Sequence, residues 1–293
     1  MRYRVTHTTH YDYADSVGQS CHEARLLPRS CPGQTLLGSR LEITPRESDF
    51  RMREDFFGNT VAYFTIPEPH QTFTVTAVSE IALTGQTPQL DLRPGAGWES
   101  VRDTLRLEHS DAALDASQYL LDSPFIACGE ALAAYAAPSF CPDRPLVEAV
   151  YDLMQRIHRD FTFDPGFTTV ATPLSAVLAH RRGVCQDFAQ LAIGSIRSLG
   201  LAARYVSGYI ETLPPPGAQK LAGADASHAW FSVFLPGAGW MDFDPTNNQV
   251  PGDQHITVAW GRDYGDVAPL KGVIFGGRNH ALQVSVEVVR LPD

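Results

Sequence analysis

Three residues of this chain have types that do covalent chemistry together. Cys185 lies in RRGVCQDFAQL, His228 opens HAWFSVFL, and Asp244 closes WMDFD before Pro245. A thiolate is a strong nucleophile, an imidazole takes the thiol proton or pairs with the thiolate, and a carboxylate fixes the imidazole tautomer and stabilises the imidazolium. Each residue also has a bland reading. A lone cysteine is often a small core hydrophobe, a histidine in a strand is often structural, and an aspartate before proline often only starts a turn. The order Cys, His, Asp on helix, strand and strand carries the chemical reading. Asp242 competes with Asp244, because strand alternation puts both on one face.

These side chains need elements to hold them. After Cys185, the residues Phe188, Leu191, Ala192, Ile196 and Leu199 share one helical face, and Gly200 follows as a helix stop. Cys185 then sits in the first turn, in the field of unpaired backbone N–H groups that favours thiolate. Gly183 supplies a sharp turn into that helix. The runs 228–235 and 240–244 alternate as strands and are joined by PGAG. Adjacent antiparallel strands place His228 and Asp244 on one face, and the Cys185 helix is expected across that face. Gln186 and Asp187 read as structural. Asp187 accepts first-turn N–H bonds or pairs with an arginine, and its charge opposes the thiolate, so His228 must outweigh it. Trp230 shares the His228 face and either lines a substrate groove or belongs to the core.

Residues 1–85 read as all-β. Tyr3, Val5, His7, Thr9, Tyr11 and Tyr13 alternate, residues 36–44 repeat the pattern, Gly58-Asn59 separates two strands of a hairpin, and Phe73 to Ile81 form another strand. This predicts an N-terminal antiparallel β-sandwich. Arg25 and Arg29, in HEARLLPR, face a domain interface or are solvated charges. A Pro/Gly-rich linker follows at 86–98. The core is placed at 99–254, with short helices at 99–107, 112–121 and 129–135. A longer helix is capped by Asp143, with Pro145 in its first turn and Leu146, Val150, Leu153, Met154 and Ile157 on one face. Residues 161–169 read as a loop or bent strand, leading to a short helix with Leu174, Val177 and Leu178, capped by Thr172 or Asp164. Residues 213–227, rich in Pro, Gly and Ala, read as a mobile flap before His228. Residues 255–293 read as loop followed by an alternating strand (Leu282, Val284, Val286, Val288) that closes the core or returns to the N-terminal sheet.

The 293 residues carry a net charge of −10 and no basic block, which argues against nucleic acid as partner. No apolar run reaches membrane-spanning length, and the N-terminus alternates where a secretory signal would be apolar. The five cysteines, Cys21, Cys31, Cys128, Cys141 and Cys185, are widely spaced without CxxC. That predicts no disulfide framework, no zinc site and a reducing, cytoplasmic setting. No cofactor is expected.

GVCQDFA, the later SHAWFSVFLPGAGWMDFDPTNN and the spacing between them resemble the transglutaminase-like core of the papain-type cysteine enzymes. RYRVTHTTHYDY with ARLLPR, and the ending ITVAWGRDYGDVAPLKGVIFGG, are similar to bacterial transglutaminase-like proteins, so the resemblance covers nearly the whole chain. It implies an α+β fold: a β-sandwich, then a core in which the Cys helix packs on an antiparallel sheet. It implies Cys185 as nucleophile, His228 as general base and acid, and Asp244, in the Asp-Pro-Thr position, as orienting acid. The chain departs from animal transglutaminases in lacking a tryptophan just upstream of the cysteine. The Cys185 N–H is then the first oxyanion donor, and the second is sought in residues 161–169, with Phe163, Gln186 and Trp230 as lining candidates. No acidic loop suggests the calcium dependence of the animal enzymes.

The expected activity is thioester-forming attack on an amide or peptide bond of a peptide or protein. Resolution by water makes the protein a protease or amidase, the preferred reading. Resolution by an amine makes it a transglutaminase or another acyltransferase. A peptide-binding module without catalysis is the remaining alternative.

Overall fold

The computed structural model describes residues 1–84, 95–212 and 227–292. Residues 86–94 of the linker expected at 86–98 and 213–226 of the flap expected at 213–227 lie outside the described residues; Trp98 already belongs to a helix and Ser227 to a strand.

The N-terminal alternation folds into β1 (Arg2–Ala24), β2 (Gln34–Thr44), β3 (Ser48–Glu54), β4 (Thr60–Ile66) and β5 (His70–Leu83). β1 is long enough to serve two places. Its first half, through Asp12, pairs with β5, and its second half, from Ser20, pairs with β4; the register breaks between Asp12 and Val17. The strands form one hydrogen-bonded antiparallel sheet folded over on itself through β1. Between the two leaves lie Phe64 and Ile66 of β4 against Phe73, Val75 and Ala77 of β5. The His22 ring stacks on Phe73 with centroids 4.2 Å apart. Inward and outward residues alternate along β5, as a sheet with one buried face requires.

The helical part follows as α1 (Trp98–Leu107), α2 (Asp111–Ser117), α3 (Glu130–Ala136) and α4 (Leu146–Asp160). α4 begins after Pro145 and not at Asp143, whose φ of 61° places it in the left-handed region two residues upstream. Then come β6 (Thr162–Phe163), α5 (Leu174–His180), β7 (Arg182–Gly183) and α6 (Cys185–Arg197). Pro173, not Thr172 or Asp164, occupies the position before α5. A four-stranded sheet completes the core, with β8 (Ala203–Ile210), β9 (Ser227–Leu235), β10 (Gly239–Phe243) and β11 (His255–Gly261) in the order β10-β9-β8-β11. α6 is buried from Asp187 to Arg197, between α3, α4 and α5 and the strands β8 and β9.

Residues 255–276, expected as loop, are instead β11, the short helix α7 (Tyr264–Val267) and β12 (Leu270–Gly276). Glycines and charges hide the alternation, but β11 is held by β8 and β12 by the second half of β1. The last strand, β13 (His280–Leu291), runs along the first half of β1, with Arg2 opposite Leu291.

One apolar cluster contains Tyr3, Val5, Ile81, Leu83, Val286 and Val288 together with the core helices. Polar groups join the same two regions. β11 is the edge of its sheet, and an edge strand exposes unpaired backbone groups. Two side-chain amides occupy them. Gln34 donates to the Thr257 carbonyl at 2.7 Å and accepts from its N–H at 2.8 Å, and Asn59 does the same to Trp260 at 2.8 and 3.0 Å. The Arg29 guanidinium lies 3.3 Å from the centre of the Trp260 ring, and Arg204 lies 3.8 Å from it. Two guanidiniums so close to one ring must take opposite faces. Arg204 also lies 4.3 Å from Trp240, so cations and indoles alternate. Arg25, by contrast, pairs within its own sheet, with Glu23 and Asp55.

Candidate active site

The start of α6 is fixed from both sides. β6 and β7 pair in parallel, with Asp164 N–H donating to the Gly183 carbonyl at 2.8 Å. Asp187, in the first turn, reaches back so that its Oδ2 accepts the Val184 N–H at 2.8 Å and the Thr168 hydroxyl at 2.7 Å. This satisfies one orphan donor of the helix start. Burial raises the Asp187 pKa, while these two bonds pull it down. Gly183 serves this arrangement through space. A Cβ there would lie 2.8 Å from both Cβ and Oδ2 of Asp187, and its backbone is outside the left-handed region.

The helix packs on the face of β9 that carries Ala229, Phe231 and Val233, which join Phe188, Leu191 and Ala192 in one cluster. Alternation therefore sends His228, Trp230 and Ser232 to the opposite face. This corrects the expectation that α6 covers the face carrying the histidine and the acid: the apolar residues claim the helix. Cys185 meets His228 where the start of the helix comes level with the start of the strand, close enough for the thiol to raise the pKa of the imidazole.

His228 Nε2 lies 2.8 Å from Asp244 Oδ2. Burial pushes the imidazole toward the neutral form, but the bonds to Asp244 and Cys185 outweigh it and hold the pKa at about 10. Asp244 is fully buried. Burial alone would raise its pKa, yet His228 and His255 hold it well below the usual carboxylate range. Its Oδ1 accepts the N–H groups of Thr246 at 3.0 Å and Asn247 at 3.2 Å, an Asx-turn built by the Asp-Pro-Thr-Asn sequence. Its Oδ2 also accepts from Asn247 Nδ2 at 2.8 Å and His255 Nε2 at 3.1 Å. Asp242 is occupied elsewhere, accepting from Trp230 Nε1 at 3.0 Å and from the Ser232 hydroxyl. The two acids that alternation could not separate are separated by their donors.

The other sequence candidates fall at different depths. Trp230 is fully buried, packing beside His228 and edge-on to His255 with centroids 5.2 Å apart. Its ring crosses Gly208, where a Cβ would stand 2.5 Å from the indole. It lines a cleft of about 800 Å³ with His255, Arg204, Trp240 and Trp260, on the side away from the thiol. Gln186 is half-buried beside Cys185, and Phe163 is 53% exposed on β6. Sequence reasoning missed His255, Asn247 and Tyr205. Tyr205 is fully enclosed on the helix side of β8, and its phenol is held protonated first by burial and then by the nearness of Cys185. Asn247 had a signal in its place three residues after Asp244, whereas His255 comes from a segment expected to be loop. Among the described residues, the ligand atoms of His228, Asp244 and His255 lie within 4.8 Å of one another, but both imidazole Nε2 atoms already face the carboxylate oxygen, which leaves them donors to it and not ligands to a cation.

Comparison with known proteins bears on the same residues. The family model for the bacterial transglutaminase-like N-terminal region matches residues 3–82, and that for the transglutaminase-like superfamily matches residues 134–245, which include Cys185, His228 and Asp244. An uncharacterized protein of Mycobacterium tuberculosis H37Rv is 43% identical over 301 residues, covering 98% of this chain and 92% of its own. A protein-glutamine gamma-glutamyltransferase of Pseudomonas aeruginosa is 30% identical over 103 residues, 34% of this chain and 15% of its own. A crystal structure of a candidate cysteine protease from Cytophaga hutchinsonii superimposes with a TM-score of 0.75 at 22% identity, covering 100% of this chain and 91% of its own. With both of its parts matched, the chain belongs to the bacterial transglutaminase-like proteins of the transglutaminase-like superfamily.

Proposed function

We propose that this protein is a cysteine enzyme that cleaves an amide or peptide bond of a peptide or protein through a thioester. The supporting observation is the alignment of half-buried Cys185, at the start of its helix, with a buried His228 whose Nε2 lies 2.8 Å from buried Asp244. In this reading the Cys185 thiolate adds to the carbonyl carbon, with the Cys185 N–H donating to the oxyanion. The His228 imidazolium gives its proton to the departing amine as the C–N bond breaks, leaving the thioester. Water then attacks while His228 takes its proton, and the thiolate leaves with the acid as product. Asp244 stays ionised throughout and holds the imidazole. An amine in place of water gives transfer instead of hydrolysis, a reading favoured by the Pseudomonas relative's name.

The test is the purified protein given a glutamine-bearing peptide with and without a primary amine, beside Cys185→Ala. The expected result is release of ammonia or acid that depends on Cys185, together with labelling of Cys185 by a thiol-directed probe. Amine incorporation outrunning that release would replace hydrolysis with transfer. A thiol inert to the probe would remove the enzymatic reading.

A further inference from the structure

His255 stands outside the Cys–His–Asp set, yet it touches the same carboxylate oxygen as His228. Its Nε2 lies 3.1 Å from Asp244 Oδ2, and both groups are buried. A ring nitrogen facing an ionised carboxylate must carry a proton to be stable there, so the tautomer is Nε2–H. Its Nδ1 is buried without a hydrogen-bond partner among the described residues, so Asp244 is the polar contact that fixes the ring. Trp230, edge-on at 5.2 Å, closes the other side, and the pairing of β11 with β8 sets the backbone, with His255 opposite Ile210.

We infer that His255 is a positioning residue of this site, a fourth member that acts through Asp244 and leaves the substrate untouched. The inference rests on the reading of Cys185, His228 and Asp244 given above. With two imidazoles, one amide and two backbone N–H groups on one carboxylate, Asp244 is locked in orientation and starved of lone pairs that could take the His228 proton. The proton stays on His228, where the departing amine needs it. Among the described residues, few titratable or charged groups surround Asp244. β9 brings His228, β11 brings His255, and α6 brings Cys185 behind His228. Asp242 on β10 is held by Trp230 and Ser232, Arg204 on β8 faces Asp242, and His158 of α4 bonds the Thr246 carbonyl at 3.0 Å. His255 is therefore a donor to Asp244 that can be removed without touching the thiol–imidazole contact.

The experiment measures Cys185 alkylation by iodoacetamide against pH, a readout of the thiolate–imidazolium pair that needs no substrate. In His255→Leu the plateau of that profile is expected to fall by about tenfold, because a lost hydrogen bond to a charged group is worth about that factor and frees the carboxylate that orients the imidazolium. His255→Gln, which can return an N–H to Asp244, is expected to restore most of the wild-type plateau. A wild-type profile in His255→Leu, or equal losses in Leu and Gln, would overturn the inference and leave only packing against Trp230. Labelled-histidine NMR on the wild-type protein supplies a measurement that no folding defect can spoil. A slowly exchanging Nε2–H on His255 is expected, and the Nδ1–H tautomer would overturn the inference. A wild-type Cys185 unreactive at mildly acid pH would instead sink the enzymatic reading itself.

Discussion

Asp242, on β10, and Asp244, one residue past its end, point the same way, and their donors give them different work. Asp244→Asn keeps the shape but lets the side chain present an N–H to His228, the wrong partner for an imidazolium. By analogy with the orienting acid of serine enzymes, the proposed turnover should fall by about 10⁴-fold, read as peptide hydrolysis rates at saturating substrate. Asp242→Asn should instead act on stability, since it disturbs a buried carboxylate bonded to Trp230 and Ser232. A loss of about 1–3 kcal/mol is expected in denaturant unfolding, with iodoacetamide alkylation of Cys185 little changed. Cys185, His228 and Asp244 could be picked out from the sequence because their order is what the chemistry needs. His255 could not, because its role comes from β11 lying beside β8, which joins residues with no local pattern between them.

Elements place these residues through a few close approaches. Gly183→Ala would push its methyl into Asp187, the side chain that tethers the start of α6 to Val184 and Thr168. Overpacking of this kind costs about 1–3 kcal/mol, so a lowered unfolding midpoint is expected together with slower Cys185 alkylation at neutral pH. A lowered midpoint with unchanged alkylation would show that the helix start keeps its aim without Asp187. Strand patterning announced the first half of β1 and β2, β4, β5, β9, β10 and β13 well. It failed for β11 and β12, where glycine and charge interrupt the pattern and the partners are strands far away in sequence. It also concealed what polar residues do. Asn59 read as a hairpin residue, yet it is fully buried and supplies β11 with a stand-in for a missing strand.

Across the whole molecule, buried histidines give stability opposite dependences on either side of neutrality. His7, bonded to Tyr209 at 2.9 Å, and His22, stacked on Phe73, are both pushed down to about 4 by burial, His22 also by His70. The unfolded chain binds protons at these sites from about 6.5 downward, so stability should fall as pH drops from about 6.5 to 4. His228 has the other sign. Its folded pKa, about 10, lies above the unfolded value, so its contribution is full below about 6.5 and is lost as pH rises toward 10. Melting temperature against pH should form a dome. His228→Ala should flatten the alkaline side, and His7→Gln the acid side.

The alternation of cations and indoles also has an optical meaning. Trp260 carries Arg29, from the N-terminal sheet, on one face and Arg204, from the core, on the other. An indole enclosed by charge on both faces emits differently from one in water, so its emission reports whether the folded-over sheet is seated on the core. Arg29→Ala should change the emission while the core stays folded, separating the Trp260 signal from those of Trp98, Trp230 and Trp240. Stopped-flow emission would then time the docking of the two regions during refolding.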